Sequence, residues 1–222
     1  MLPLWDVGPT GKFPFWVITI IAINVFVFYL ELTVPNLDAF ITRYALIPSA
    51  INLMNISTLL PFVTSQFLHG GFLHIVTNMW FFWIFGDNVE YRLGAFFFPI
   101  FYLLSGITGN ALQYALMPNS DIPALGASGA IAGVLGAYFA FFPRNRVKTL
   151  IFFLIADLPA SIVLFYWLIL QLFNSAVAVS PASNPNDGGV AYFTHIGGFA
   201  LGWFVGKVSL ILQEKKIKLK FI

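Results

Sequence analysis

The sequence contains no cysteine, which excludes disulfides and thiolate chemistry and leaves no trace of a redox compartment. Charge is nearly as scarce. Asp, Glu, Lys and Arg make up 9% of the 222 residues, where a soluble domain carries roughly 25%. A chain this poor in charge does not face water over most of its surface. A cleavable-signal pattern is missing too: the first apolar run follows Lys12 and shows no small-x-small site before Glu31. That run is expected to be a retained first span. The net charge of +2 says nothing as a total, and no basic patch calls for nucleic acid.

What is present is apolar, 59% of the chain, and it comes in long blocks, the pattern of a polytopic membrane protein. Eighteen uncharged residues separate Lys12 from Glu31, with Pro14 suited to a first helical turn. Residues 1–12 read as a turn-rich leader. Residues 33–68 hold Pro35, Asp38, Arg43, Pro48 and Pro61 in apolar surroundings, too broken to span and too apolar for a solvated loop. They are expected to lie in the membrane interface. A second helix is expected from about Leu73 to Asn88, then a polar turn from Asp87 to Arg92. A third run lies between Leu93 and Ser120, and a fourth holds Ser128 and ends at Pro143. Leu150–Ala156 is apolar but too short to span, and Asp157-Leu158-Pro159 interrupts it. A fifth helix is placed from Pro159 to Ala178, a flexible loop at 180–189, a sixth span from Val190 to Leu212 and a basic tail over 213–222.

Six spans put both termini on one side. Lys12, Arg92, Arg144, Arg146, Lys148, Lys207, Lys215, Lys216, Lys218 and Lys220 then share that side, and Arg43 stands alone opposite. Ten against one makes the shared side cytoplasmic by the positive-inside rule. The expectation is one membrane domain over 1–222, all-α, with its core at about 15–212. A prokaryotic inner or plasma membrane is the expected location.

On this topology His69, His74 and Asn78 at the start of span 2, Ser128 at the start of span 4 and His195 near the start of span 6 all fall in the outer half of the bilayer. Polar groups at that depth face a protein interior or a wet cavity. His74 and Asn78, four apart, share a helix face. Gly129 and Gly133 stripe span 4, and Gly198, Gly202 and Gly206 stripe span 6, so the two helices can approach closely enough to set Ser128 against His195. Ser128 alone stays open between two readings, a packing hydroxyl and a nucleophile.

Three segments together, Gly126-Ala127-Ser128-Gly129, His69-x4-His74-x3-Asn78 and His195-x2-Gly198-x3-Gly202, resemble the signatures of the rhomboid intramembrane serine proteases. Glu90-x-Arg92-x-Gly94 resembles that family's turn after the second helix. The resemblance implies a six-helix bundle with an interfacial 1–2 loop, with Ser128 as nucleophile and His195 as general base. It also implies an oxyanion hole from the Ser128 N–H, His74 and Asn78. His69 would tether the first loop, with Gly126, Gly129, Gly198 and Gly202 in support and the 176–192 segment as a cap. Substrates would be single-span or polytopic membrane proteins in the bilayer, with no cofactor and no metal. The chain departs from the pattern at Leu60-Pro61, where many relatives carry Trp-Arg. It departs again at Ala132, where some have a tyrosine stacked on the histidine, and at Thr194, where alanine is common. No Asp or Glu closely precedes either motif, so a Ser128/His195 dyad is expected.

Rival classes are weighed on the same residues. An inactive adaptor would be expected to lack Ser128 or His195. A transporter should show an inverted repeat or paired broken helices. A zinc protease should show His-Glu-x-x-His rather than His69-Gly-Gly-Phe-Leu-His74.

Overall fold

The computed structural model describes residues 1–8, 13–178 and 191–219. It is a mostly helical bundle with one small sheet. In chain order the elements are β1 (Leu2–Asp6), α1 (Phe15–Thr33), α2 (Leu37–Tyr44), α3 (Pro61–Thr64), α4 (Phe72–Leu93), α5 (Phe97–Leu116), α6 (Ser128–Phe141), β2 (Arg146–Ile151), β3 (Leu154–Pro159), α7 (Ala160–Ala178) and α8 (Tyr192–Leu219). By length and composition Phe15–Thr33, Ala160–Val177 and Tyr192–Lys215 can each cross a membrane. The pair Ile56–Phe67 and Phe72–Leu93, bent by 77° where they meet, passes the same test when taken together, as a broken span or a re-entrant loop. The 180–189 loop, Lys12 and the end of the basic tail lie outside the described residues.

The expectation of an all-α fold is corrected by a three-stranded antiparallel sheet in the order β1-β2-β3. The supposed leader is β1, and Leu150–Ala156 with its interruption is a hairpin, Ile151 facing Leu154. The sheet is anchored to the helices by polar groups. Asp6 accepts from the Tyr138 hydroxyl of α6 and from Asn88 Nδ2 of α4 at 2.8 Å, and the Trp80 indole donates to the Pro3 carbonyl at 2.8 Å.

The polar turn expected over Asp87–Arg92 is likewise corrected: α4 continues to Leu93, and Asn88, Val89 and Glu90 are buried. The reason is the start of α1. The Glu90 carboxylate accepts from the backbone N–H groups of Trp16 and Val17, each at 3.0 Å, and so caps donors that a helix N-terminus leaves free. Gly94, at φ 84°, then ends α4.

Helix α6 is the centre. It has 14 residues, about 21 Å, short for a span, and is buried nearly all round. Its closest neighbour is α8. A Cβ on Gly198 would overlap the Gly129 carbonyl, and one on Gly202 the Gly133 carbonyl, so these glycines let the two backbones touch. On the far side Ser105 of α5 fills the space beside Gly133. The 33–68 segment folds as α2, α3 and single 3₁₀ turns, with α2 capped by Asn36.

Candidate active site

The site is built from the N-terminus of α6 outwards. Gly126 has a φ of 127°, a conformation natural only to glycine, and turns the chain so that Ser128 opens the helix. No side chain caps that first turn. Because α6 and α8 touch through their glycines, Ser128 Oγ reaches His195 Nε2 at 2.7 Å. The other ring nitrogen, Nδ1, lies 2.7 Å from Oε1 of Gln171 on α7. An amide oxygen only accepts, so Nδ1 carries the proton and Nε2 is left as an acceptor for the serine hydroxyl. Trp167 and Tyr192 flank the imidazole, with ring centroids at 5.8 and 6.4 Å.

Helix α4 carries two donors one turn apart, and His74 is the one that reaches the serine turn. His74 Nδ1 accepts from the Gly70 N–H at 3.3 Å, which puts the ring proton on Nε2. A Cβ on Gly126 would stand 2.8 Å from that Nε2 and 3.6 Å from Ser128 Oγ, so the glycine is what lets the His74 ring pack against the serine turn. One helical turn along, Asn78 is buried and its Nδ2 has no hydrogen-bond partner. An unpaired buried donor is costly to fold around.

A family model for the Rhomboid domain matches residues 57–211, which include every residue of this arrangement. The chain belongs to the rhomboid family. It is 30% identical over 211 residues to the Saccharomyces cerevisiae protein "Rhomboid protein 1, mitochondrial", covering 91% of this chain and 56% of that protein. It is 32% identical over 155 residues to the Arabidopsis thaliana "RHOMBOID-like protein 4", covering 67% and 34%. The human "Presenilin-associated rhomboid-like protein, mitochondrial" is 34% identical over 130 residues, covering 58% and 33%. The chain thus spans between a third and just over half of these relatives' lengths. It is an integral membrane protein. The prokaryotic location expected from sequence draws no support from relatives with mitochondrial names.

Within this rhomboid bundle His69 lies beside the site and not in it. Its ring stands edge-on between those of Phe28 and His74, and its backbone N–H donates to the buried Glu31 carboxylate of α1 at 3.0 Å. The first loop is held without a Trp-Arg pair. Asn110 of α5 donates to the Phe62 carbonyl and to Ser65 Oγ, each at 2.9 Å, Gln66 fills the space left by Gly106, and the Gly126 N–H donates to the Ser65 carbonyl at 2.8 Å. That last bond ties the first loop to the serine turn. Thr194 is accommodated because Gly129 and Gly109 present no side chain to it.

Ring support for His195, assigned from sequence to packing around Gly198 and Gly202, includes the Gln171 hydrogen bond as well. The sequence reading passed over Gln171, a lone amide in an apolar helix, although an amide at such depth needs a partner. It passed over Glu31 and Asn110 for the same reason. Asp121, seven residues before Ser128, accepts from Ser49 Oγ at 2.6 Å in the exposed loop, and Asp187, eight before His195, lies outside the described residues.

Proposed function

We propose that the chain is an intramembrane serine endopeptidase that cleaves membrane proteins through Ser128 and His195, with six helices crossing the bilayer and the site toward the face opposite the basic end. The observation that supports this best is the 2.7 Å Ser128–His195 contact, with His74 packed against the serine turn and Asn78 unpaired one turn along α4. Serine is a weak nucleophile until a base takes its proton. Here Nε2 of the neutral imidazole accepts that proton as Oγ bonds to the scissile carbonyl carbon. The carbonyl π electrons move onto oxygen. The oxyanion would meet the Ser128 N–H, His74 Nε2–H and Asn78 Nδ2–H, aimed into one space before the reaction starts, and each such donor contributes about 3 kcal/mol. His195 then gives its proton to the amine nitrogen as the C–N bond breaks. Water, deprotonated by the same Nε2, releases the acyl group and restores Ser128. Gln171 holds the ring in the required tautomer and carries no charge, so the machinery is a dyad with an amide support.

Purified protein reconstituted with a panel of single-span substrates is the test, wild type beside Ser128→Ala and His195→Ala. A fluorophosphonate probe reports the activated serine without knowledge of the natural substrate. Cleavage and labelling in wild type, and neither in the two variants, are expected. Folded wild-type protein that cleaves nothing and takes no label would instead make this an inactive, substrate-holding member of the family.

A further inference from the structure

The small sheet does not hang below the helices. Three contacts give its height. Asp6 meets Asn88, about 7 Å along α4 from its basic end at Leu93, whereas Pro3 meets Trp80, about 20 Å from that end. Met1 lines an apolar groove with Phe139 of α6 and with Ile162, Phe165 and Ile169 of α7, the last about 13 Å above the start of that helix. Strand β1 therefore climbs beside the helices. Leu2 pairs with Leu150, so the hairpin of β2 and β3 climbs with it and its tip lies at least as deep.

That tip is built for a medium without water. Ile151 faces Leu154, so the turn is the pair Phe152-Phe153. Two-residue hairpin turns favour Asn-Gly, because they need positive φ. Phe152 takes φ 53° instead, a conformation unfavourable for an aromatic residue. Phe152, Phe153 and Leu154 are nevertheless 89%, 97% and 75% exposed. The base of the hairpin is the opposite: Arg144 and Arg146 are exposed, the Arg146 guanidinium donates to the Asp157 carbonyl, and Lys148 pairs with Asp157 at 2.8 Å. The outer edge of β1 is blunted where it faces α4. Pro3 has no N–H and its carbonyl is taken by Trp80, as an edge within hydrocarbon requires.

We propose that the hairpin is a membrane wedge whose tip, Phe152 to Ile155, is seated among the acyl chains of the bilayer, while Arg144 and Arg146 hold its base at the level of the lipid headgroups. The occupant of this face is lipid. Apolar tip, cationic base and depth agree, and the tip continues the exposed apolar face of α7 at Ile162, Phe165 and Ile169.

The absence of native cysteine makes the test clean. Phe153→Cys, Leu154→Cys, Phe165→Cys and Arg144→Cys are each spin-labelled in vesicles of phosphatidylcholine and phosphatidylglycerol. Collisions with dissolved oxygen and with a water-soluble nickel chelate then give the depth. Labels at 153 and 154 should match position 165, with at least tenfold more oxygen than nickel access relative to 144. Nickel access at 153 and 154 equal to that at 144 puts the tip in water and overturns the proposal. Shielding from both reagents overturns it as well, since protein would then cover the tip. Neither readout depends on peptide-bond cleavage, and position 154 serves if 153 does not fold.

Discussion

A single hydrogen bond decides which nitrogen of the His195 ring carries the proton. His195 Nε2 can accept from Ser128 only while Nδ1 keeps its own proton, and Gln171 Oε1 at 2.7 Å is what holds it there. A leucine of similar size keeps the packing and removes the acceptor. Gln171→Leu is therefore expected to lower kcat about 10- to 100-fold, or about 1.4–2.8 kcal/mol, with KM within about twofold and unfolding in detergent unchanged. A fall in stability that matched the loss of activity would make Gln171 a packing residue. At this scale the sequence is legible where spacing carries chemistry: His74 and Asn78 four apart, and glycine beside Ser128. Gln171 sits 24 positions before its partner in a featureless apolar run, and nothing but the three-dimensional approach of α7 to α8 joins them. Glu90 shows the opposite trap. Its charge suggests a solvated turn, yet it is buried because the free N–H groups of Trp16 and Val17 need an acceptor.

The contact of α6 with α8 carries the site, and it rests on backbone touching backbone. Gly202 admits no Cβ without displacing the Gly133 carbonyl, and Gly198 none without displacing that of Gly129, one residue beyond Ser128. Gly202→Ala should cost about 1–3 kcal/mol by overpacking, read as a lower unfolding midpoint, and should lower activity further by parting Ser128 from His195. Ile211→Ala, on the exposed side of α8, is the matched control and should change neither. Activity intact in a destabilised Gly202→Ala protein would show that the seam supports the fold and not the dyad spacing. The longer helices were legible as elements, because apolar runs bounded by Pro, Gly and charge leave few alternatives. The sheet was not. Strand β1 finds its partner more than 140 residues away, and the hairpin carries phenylalanine where a turn signal belongs. The first hides a pairing from any local pattern, and the second removes the punctuation by which a hairpin is read.

The orientation of the whole molecule is an expectation drawn from opposed ends. Arg92, Arg144, Arg146 and Lys148 gather where α4 and α6 end, while Ser128, His74 and His195 sit at the other. Asn119→Cys and Arg144→Cys, near either end of α6, should react with an impermeant maleimide from opposite sides of sealed cells, Asn119 from outside. Reaction from the same side would refute both the topology and the depth given to the site. Under the proposed function a transmembrane substrate would enter this bundle sideways, and α7 is the element best placed to let it in. It packs less closely on α6 and α8 than those two pack on each other, and its Trp167 ring lies 5.8 Å from that of His195 and 6.2 Å from that of Phe199. The same helix carries Gln171, so under that reading moving it aside for entry would withdraw the support of His195, and the Ser128–His195 pair would be reassembled only when α7 returned. Cysteines replacing Trp167 and Phe199, joined by a short reversible thiol crosslinker, should fix α7 in the seated position. Within that one variant, crosslinking should leave fluorophosphonate labelling of Ser128 within about twofold but slow cleavage of a membrane-embedded substrate at least tenfold, and reduction should restore it. An unchanged cleavage rate with the crosslink complete would mean that α7 stays seated throughout and that substrate reaches Ser128 by another face.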